Sequence, residues 1–295
     1  MIRPVLFLSA IAASLWAASA VRAEKMPLIV AHRGASHDAP ENTLAAFRLA
    51  WEQGADAIEG DFFLTKDGEI VCTHDKVTGR LNAEKRKMEV AKSTLAELQS
   101  LDVGSWKGER WKGERMPTLR DVFKLVPDGK RILVEVKCGA EILPALKKEI
   151  RACELRPEQI IIISFQKDVI RAAKRSLPEI KAFWLTSFKE NKETGKVEPT
   201  EKAVMKTLPE LKADGLSCGD HISIKPQFLE SVRAAGFETH CWTINDPKRA
   251  LELASFGMQS ITTDRPALIR EALERDRRSK ADGGETSAPK LQPGR

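Results

Sequence analysis

Nine short apolar segments, separated by stretches with helical spacing, constrain the fold of this 295-residue chain more than any other feature. Strands that alternate with helices in this way favour βα units and a parallel sheet. A tight turn, Thr65-Lys66-Asp67-Gly68, joins the second segment to the third, whereas parallel neighbours need a crossover of about a dozen residues. We therefore predict a hairpin there and eight parallel strands, which favours an α/β (β/α)8 TIM barrel over an open doubly wound sheet. The nine segments are residues 28–31, 57–63, 69–73, 131–137, 160–165, 181–185, 215–218, 238–244 and 260–264.

The stretch from about residue 75 to residue 117 lacks a strand pattern and looks like an insertion after the second strand and its hairpin. It carries a tandem pentapeptide, Trp106-Lys107-Gly108-Glu109-Arg110 followed by Trp111-Lys112-Gly113-Glu114-Arg115. Two interpretations of the repeat are open. It forms either a lid whose indole faces contact a choline-like cation or a lipid surface, or a local duplication in an exposed loop.

The N-terminal segment predicts export. No charged residue lies between Arg3 and Arg22, the middle of the segment is apolar, and small residues follow, which is typical of a signal peptide cleaved after Ala20 or Ala23. We expect residues 1–23 to be removed and the protein to be periplasmic or secreted, with no stable membrane span after cleavage. The alternative is an uncleaved anchor, because the uncharged run approaches the ~18 residues that a span needs.

The net charge of +6 first suggests a polyanionic partner, but its distribution argues against one. Two of the surplus positive charges lie in residues 1–23, and residues 275–295 hold six basic and three acidic residues. The body, residues 24–274, is therefore nearly neutral, and we expect no nucleic-acid partner. The C-terminal segment, residues 275–295, is rich in Gly, Pro, Ser and Lys without apolar periodicity, which predicts a basic disordered tail.

Charged and imidazole side chains stand at the ends of four of the predicted strands. Two of these strands carry charged residues at positions i and i+2, whose side chains point to the same face of a strand. Barrel enzymes place their chemistry at the carboxyl-terminal ends of the strands, so we expect all of these groups to lie on one rim. They are His32, Arg33, Glu59, Asp61, His74, Glu135 and Lys137.

The three carboxylates on this rim predict a metal site. Glu59, Asp61 and Glu135 would repel one another without a cation, and all-oxygen ligation selects Mg²⁺ or Ca²⁺ over Zn²⁺. Arg33 and Lys137 suit an anionic substrate such as a phosphate. The two histidines supply an acid and a base that work near neutral pH, so the rim as a whole indicates cleavage of a phosphate ester.

The motifs of the chain resemble, in order and spacing, the glycerophosphodiester phosphodiesterase family over about residues 27–270. The early block is the most specific part, since it joins five motifs before residue 76. The matching motifs are His32-Arg33-Gly34-Ala35, Pro40-Glu41-Asn42-Thr43, Gly54 to Asp61, Thr65-Lys66-Asp67-Gly68, His74-Asp75, Pro117-Thr118-Leu119, Val134-Glu135-Val136-Lys137, Ser164-Phe165, Trp242-Thr243-Ile244-Asn245 and Thr263-Asp264-Arg265-Pro266.

The resemblance implies a TIM-barrel hydrolase with one divalent ion. Its partner would be a small-molecule glycerophosphodiester, such as glycerophosphocholine, that is split into glycerol 3-phosphate and an alcohol in glycerol and lipid metabolism. It also implies attack by the substrate's own glycerol hydroxyl on phosphorus, giving a cyclic phosphate that water opens. Carried over by position, the implied roles are an acid–base pair of His32 and His74, metal ligands Glu59, Asp61 and Glu135, phosphate contacts Arg33 and Lys137, and a pocket wall that includes Trp242.

One residue and one short segment depart from the family pattern. Gly60 stands where a side chain is more usual, and residues 76–81 replace an Arg-Thr-Thr-like turn, so no contacts to the leaving group are carried over there. Two other functions remain open: a phospholipase D-like action on lysophospholipids, and a phosphoester-binding protein without catalysis. A serine esterase is disfavoured, because residues 215–219 match G-x-S-x-G but no helical pattern follows directly.

Overall fold

The computed structural model describes residues 26–283. The strands are β1 (Leu28–His32), β2 (Ala57–Leu64), β3 (Ile70–Cys72), β4 (Arg131–Val136), β5 (Ile160–Ser164), β6 (Lys181–Thr186), β7 (Lys189–Glu190), β8 (Val197–Glu198), β9 (Gly215–Gly219), β10 (Glu238–Trp242) and β11 (Ser260–Thr263). The α-helices are α1 (Leu44–Glu52), α2 (Leu95–Gln99), α3 (Leu119–Phe123), α4 (Leu143–Ala152), α5 (Lys167–Ser176), α6 (Glu201–Leu211), α7 (Pro226–Ala234), α8 (Pro247–Ser255) and α9 (Pro266–Gly283). Short 3₁₀ helices lie at Val90–Lys92, Ser105–Lys107, Glu109–Trp111, Ala140–Ile142 and Pro157–Gln159.

Eight parallel strands close into a barrel in the order β1, β2, β4, β5, β6, β9, β10 and β11, with β11 pairing back to β1. The predicted (β/α)8 TIM barrel is confirmed. The predicted hairpin is also present, since β3 runs antiparallel to β2 with Phe63 opposite Val71. Each of the nine predicted segments overlaps a strand, and their ends agree to within two residues. The exposed two-stranded hairpin of β7 and β8 was not predicted, because its strands are short and mostly charged.

Apolar side chains pack on both faces of the barrel strands. Successive side chains of a strand point to opposite faces, so Ile161 and Ile163 of β5 pack inside the barrel while Ile160 and Ile162 pack against the surrounding helices. The inner cluster is small, and it lies below the ends of the strands. Its members are Val30, Ala57, Leu133, Ile161, Ile163, Phe183 and Leu185, with Trp242 packed against them.

Helix α1 explains the unusual Gly60. The Thr43 hydroxyl caps the helix by accepting a hydrogen bond from the Ala46 amide, and the buried Phe47 ring packs against β2. A Cβ atom on Gly60 would lie 3.1 Å from Cζ of Phe47. Gly60 therefore faces the helix layer, and this departure from the family pattern leaves the inner face of β2 unchanged.

The turn after β1 requires Gly34. Its φ of +81° is strained for other residues, and a Cβ there would lie 2.6 Å from the Ala46 carbonyl carbon. This close approach of the turn to α1 fixes the chain directly after His32 and Arg33. The two residues are thereby held at the carboxyl-terminal edge of the barrel.

The segment between β3 and α3 has a small apolar core of its own. Seven buried side chains join it to the β2–β3 hairpin, and an isolated β-bridge pairs Val71 with Thr118. The segment is therefore packed onto the barrel edge beside the hairpin. The side chains of this core are Phe63, Val71, Val90, Leu98, Leu101, Val103 and Met116.

The C-terminal helix corrects one prediction. Helix α9 runs to Gly283, so the expectation of disorder from residue 275 is wrong for residues 275–283. Pairs with i, i+4 spacing support the helix there: Glu271 lies 3.6 Å from Arg275, and Asp276 lies 2.8 Å from Lys280. Residues 284–295 and the predicted signal peptide, residues 1–23, lie outside the described residues. No helix between residues 26 and 283 has both the length and the apolar character needed to cross a membrane.

Candidate active site

A cavity of about 190 Å³ opens at the carboxyl-terminal ends of the barrel strands. Seven of the eight predicted site residues line it, and the eighth, Asp61, is buried beside them. The strand register brings these residues together, because β1 places His32 beside Glu59 while β2 places Asp61 beside Glu135. The residues that line the cavity are His32, Arg33, Glu59, His74, Glu135, Lys137, Ile163, Phe165, Leu185, Ser217, Trp242, Thr243 and Thr262.

Three carboxylates converge at the base of the cavity. Glu59, Asp61 and Glu135 each offer an oxygen atom within 4.8 Å of the others. Burial, together with the charges of Asp61 and Glu135, raises the pKa of Glu59 well above its usual value. One of its oxygens accepts the Arg33 amide at 3.0 Å, whereas Oε1 is buried without a hydrogen-bond partner in the described structure. This cluster has the donor chemistry and the unsatisfied negative charge of a site for a hard cation.

Asp61 stays ionised in the same cluster. Burial opposes its charge, but Lys137 and Arg33, with a hydrogen bond from Asn42, lower its pKa below the usual value. The Asn42 amide donates to Asp61 at 2.8 Å, and the Arg33 and Lys137 nitrogens each lie 3.2 Å from a carboxylate oxygen of Asp61. The Asp61 carboxylate therefore holds the side chains of Arg33 and Lys137 in place.

The two cations also face the cavity. Lys137 lies 2.8 Å from Glu135, and the charges of Asp61 and Glu135 outweigh its burial and raise its pKa. The Arg33 guanidinium donates to Glu41 at 2.9 Å. Both cations are thus charged and held in place at the mouth, where an anionic group would meet them.

Each histidine of the cavity is paired with a carboxylate through Nδ1. Nδ1 of His32 lies 2.7 Å from Asp264, and Nδ1 of His74 lies 2.8 Å from Asp75. A carboxylate at Nδ1 fixes the tautomer that carries its proton there and leaves Nε2 as the basic nitrogen. Within the described residues neither Nε2 has a hydrogen-bond partner, so both are available to a ligand.

Asp264 is held more firmly than Asp75. It accepts hydrogen bonds from the Ser36 hydroxyl at 2.9 Å and from the Asn245 amide at 2.6 Å, in addition to His32. These bonds, against the opposing effect of burial, hold the pKa of Asp264 well below its usual range. The carboxylate beside His32 therefore stays charged and fixed.

An aromatic wall closes one side of the cavity. The rings of Trp242 and Phe165 meet edge to face with centres 5.6 Å apart, and Phe165 is 46% exposed. The wall gives the cavity an apolar surface in addition to its charged residues. An alcohol carried by a phosphodiester would contact this wall.

Sequence reasoning assigned no role to three residues that matter here: Asp264, Phe165 and Asn42. All three stand in motifs that the sequence displays, and Asp264 and Phe165 directly follow strands. The rule that selected the other rim residues would therefore have found those two. Asn42 belongs to the Pro40-Glu41-Asn42-Thr43 motif, and its side-chain amide donates to Asp61 and accepts from the Cys72 thiol.

The repeated pentapeptides do not line the cavity. Lys107 of the first copy donates to the Ser36 carbonyl at 2.8 Å, and Arg110 donates to the Asp38 carbonyl at 2.9 Å. The Trp106 and Trp111 rings pack beneath the cations of Lys107 and Arg110 respectively. The first copy thus docks on the loop that follows β1, and the indoles contact their own neighbours rather than the cavity.

The G-x-S-x-G match forms no nucleophile elbow. Ser217 lies within β9 and is 1% exposed, and helix α7 begins only at Pro226. Among the described residues no histidine forms a hydrogen bond with the Ser217 hydroxyl. This geometry lacks the base that would activate a serine.

We expect Ser217→Ala to retain kcat to within about twofold of the wild type, because no base activates this hydroxyl. Steady-state hydrolysis of a phosphodiester checks it. A loss of 10²-fold or more in a variant with an unchanged melting temperature would contradict the assignment.

The barrel and its mouth define a class of proteins, the barrel enzymes that cleave phosphodiesters. The chain belongs to the Glycerophosphoryl diester phosphodiesterase family, whose model matches residues 32–268. It is a phosphoric diester hydrolase of that family.

Similar proteins share most of the chain. A glycerophosphodiester phosphodiesterase from Caldanaerobacter subterraneus subsp. tengcongensis is 34% identical over 248 residues, which cover 82% of this chain and 96% of the relative. One from Bacillus subtilis is 27% identical over 261 residues, covering 82% and 85%. A solved phosphodiesterase from Oleispira antarctica, in complex with the product sn-glycerol-3-phosphate, is 30% identical with a TM-score of 0.75 and covers 84% of this chain and 97% of its own.

Proposed function

We propose that the protein is an exported, metal-dependent phosphodiesterase that hydrolyses glycerophosphodiesters to glycerol 3-phosphate and an alcohol, in glycerol and lipid metabolism. One observation carries the proposal: two histidines with carboxylates at Nδ1 flank a cavity that has three converging carboxylates at its base and the side chains of Arg33 and Lys137 at its mouth. The name of the Caldanaerobacter relative and the product bound in the Oleispira structure support the substrate class.

The carboxylate cluster fits one divalent cation. Glu59, Asp61 and Glu135 would hold it, since the unpartnered Oε1 of Glu59 and its raised pKa both indicate a negative charge that protein groups leave unsatisfied. An all-oxygen set suits Mg²⁺ or Ca²⁺. A cation bound there would offset charge on the non-bridging oxygens of the phosphodiester.

The side chains of the mouth divide the remaining work. Arg33 and Lys137 bind the phosphate oxygens and orient phosphorus between the two imidazoles. Nε2 of one histidine takes the proton of the substrate's glycerol hydroxyl as that oxygen bonds to phosphorus, and the other histidine protonates the departing alcohol oxygen. Water then opens the cyclic phosphate with the two proton transfers reversed, which restores both histidines.

Export rests on residues 1–23, which lie outside the described residues. The uncharged apolar run and the small residues at Ala18-Ser19-Ala20 support a cleaved signal peptide. Mass analysis of the protein recovered from a bacterial periplasm or culture medium tests this. A mature chain that begins at Val21 or Glu24 is expected, and retention of Met1 would contradict it.

A single assay tests the activity. We expect alcohol release from glycerophosphocholine and related head groups, a loss of at least about 10²-fold on treatment with EDTA, and recovery with Mg²⁺ or Ca²⁺. Undiminished turnover after EDTA would contradict metal dependence. Choline release from lysophosphatidylcholine in place of glycerophosphocholine would instead show the phospholipase D-like action, and binding of glycerophosphocholine without turnover would show a catalytically inactive protein.

A further inference from the structure

Arg80 joins charged groups of the catalytic rim without lining the cavity itself. Its Nε donates to Oδ2 of Asp75 at 2.6 Å, and its terminal NH2 donates to Oε1 of Glu41 at 2.7 Å. The other oxygen of Asp75 accepts from Nδ1 of His74. Arg80 and Asp75 are both absent from the residues that line the catalytic cavity, and they line a smaller neighbouring pocket to which His74 also contributes.

Asp75 depends on Arg80 for its position. In the described structure its side chain forms hydrogen bonds only with His74 and Arg80, and one third of it is exposed. Asp264, which plays the corresponding part for His32, has two further hydrogen-bond donors. Without Arg80, no donor among residues 26–283 other than His74 itself would hold the Asp75 carboxylate, which would then be free to rotate into solvent and release Nδ1 of His74.

Glu41 anchors Arg80 to the rest of the site. Its side chain is only 13% exposed, and the oxygen that accepts from Arg80 also accepts from Arg33 at 2.9 Å. A continuous set of charged hydrogen bonds therefore runs from Arg33 through Glu41, Arg80 and Asp75 to His74. The planar guanidinium is needed at its centre, because it donates to two carboxylates in fixed directions.

We propose that Arg80 is a positioning residue that holds Asp75 against His74 and so fixes the direction of the His74 Nε2 toward the substrate. The proposal rests on the proposed function, in which His74 transfers a proton. Half-exposed ion pairs of this kind contribute little to stability. The effect of Arg80 therefore lies in the rate of the reaction and not in the stability of the fold.

The test compares three variants of the full chain on glycerophosphocholine with added metal. Arg80→Met is expected to lower kcat roughly 10- to 100-fold with KM changed less than about threefold, because a displaced proton-transfer group slows the chemical step. Arg80→Lys is expected to fall between Arg80→Met and the wild type, since one ammonium cannot reach both carboxylates in the same geometry. Arg86→Met is the matched control: the side chain is exposed in the same segment, and its kcat is expected to equal that of the wild type.

Asp75→Asn supplies a second criterion. The double variant of Asp75→Asn with Arg80→Met is expected to be no slower than Asp75→Asn alone, because both changes break the same link from Arg80 through Asp75 to His74. Independent, multiplicative losses would overturn the proposal, as would wild-type kcat in Arg80→Met or an effect on KM alone. If Arg80→Met does not fold, Arg80→Lys decides, and wild-type kcat in that variant overturns the proposal.

Nuclear magnetic resonance separates failure of this proposal from failure of the proposed function. The Nδ1 proton of His74 is expected to give a resonance that is protected from exchange with solvent in the wild type and in Arg86→Met. This resonance is expected to disappear in Arg80→Met. The Nδ1 proton of His32 is an internal control, and its resonance is expected to stay unchanged. If the wild type does not turn over glycerophosphocholine but the His74 resonance still disappears in Arg80→Met, only the proposed function is contradicted. An unchanged His74 resonance in Arg80→Met would overturn the positioning role whatever the activity.

Discussion

Alanine in place of either His32 or His74 will lower kcat by roughly 10²-fold or more, as removal of a positioned acid or base does. Both imidazoles line the cavity, and each is oriented by a carboxylate at Nδ1. Because the reaction needs one proton removed and another delivered, neither ring replaces the other. Steady-state kinetics on glycerophosphocholine with saturating metal measures the loss, which we expect in kcat more than in KM.

His37→Ala is the matched control for His32→Ala. His37 lies in the loop that follows His32, but it is exposed, contacts Asp38 and Arg265, and does not line the cavity. We expect its kcat to remain within about twofold of the wild type. Near-normal rates in His32→Ala or His74→Ala would remove that residue from the proton transfers, provided that thermal melts show a folded protein.

The barrel was predictable because burial dominates its strands. Runs such as Ile160–Ser164 are buried on both faces, so they remain apolar throughout, and the polar residues that follow them mark the catalytic edge. The β7–β8 hairpin carries no such signal, since its residues are exposed and charged. The helix over residues 275–283 was not predicted, because charged pairs on its surface support it and it has no apolar periodicity there.

The candidate site was predictable where its residues lie within or directly after a predicted strand. Glu59, Asp61 and Glu135 needed only the alternation of a strand and the shared edge of a barrel. The partner of His32 was harder to see, since Asp264 lies 232 residues away and meets His32 only because β11 pairs with β1. The contacts of Arg80 lie beyond sequence reasoning, since the irregular backbone of the segment after His74 brings its guanidinium to Glu41 and Asp75.

Glu59→Gln will remove most of the protein's response to a divalent cation while leaving the fold intact. Burial and the charges of Asp61 and Glu135 raise the pKa of Glu59, so its ionised form is unfavourable in the metal-free protein. Glutamine has the same shape and still accepts the Arg33 amide, but it carries no charge. In EDTA we therefore expect the melting temperature of the variant to equal or exceed that of the wild type.

The metal-dependent part of the stability gives the second half of this result. At a concentration of Mg²⁺ or Ca²⁺ about 100-fold above its dissociation constant, the wild type is expected to gain roughly 5–10 °C in melting temperature, because a ligand that binds only the folded state stabilises it. Glu59→Gln is expected to lose most of that gain and to lower kcat/KM by at least about 10²-fold at the same metal concentration. Glu141→Gln, an exposed carboxylate beyond the end of β4, should retain both properties. An equal thermal gain in Glu59→Gln and the wild type would show that the cation binds elsewhere, because the three carboxylates at the base of the cavity can hold an ion only if the charge on Glu59 contributes to its binding.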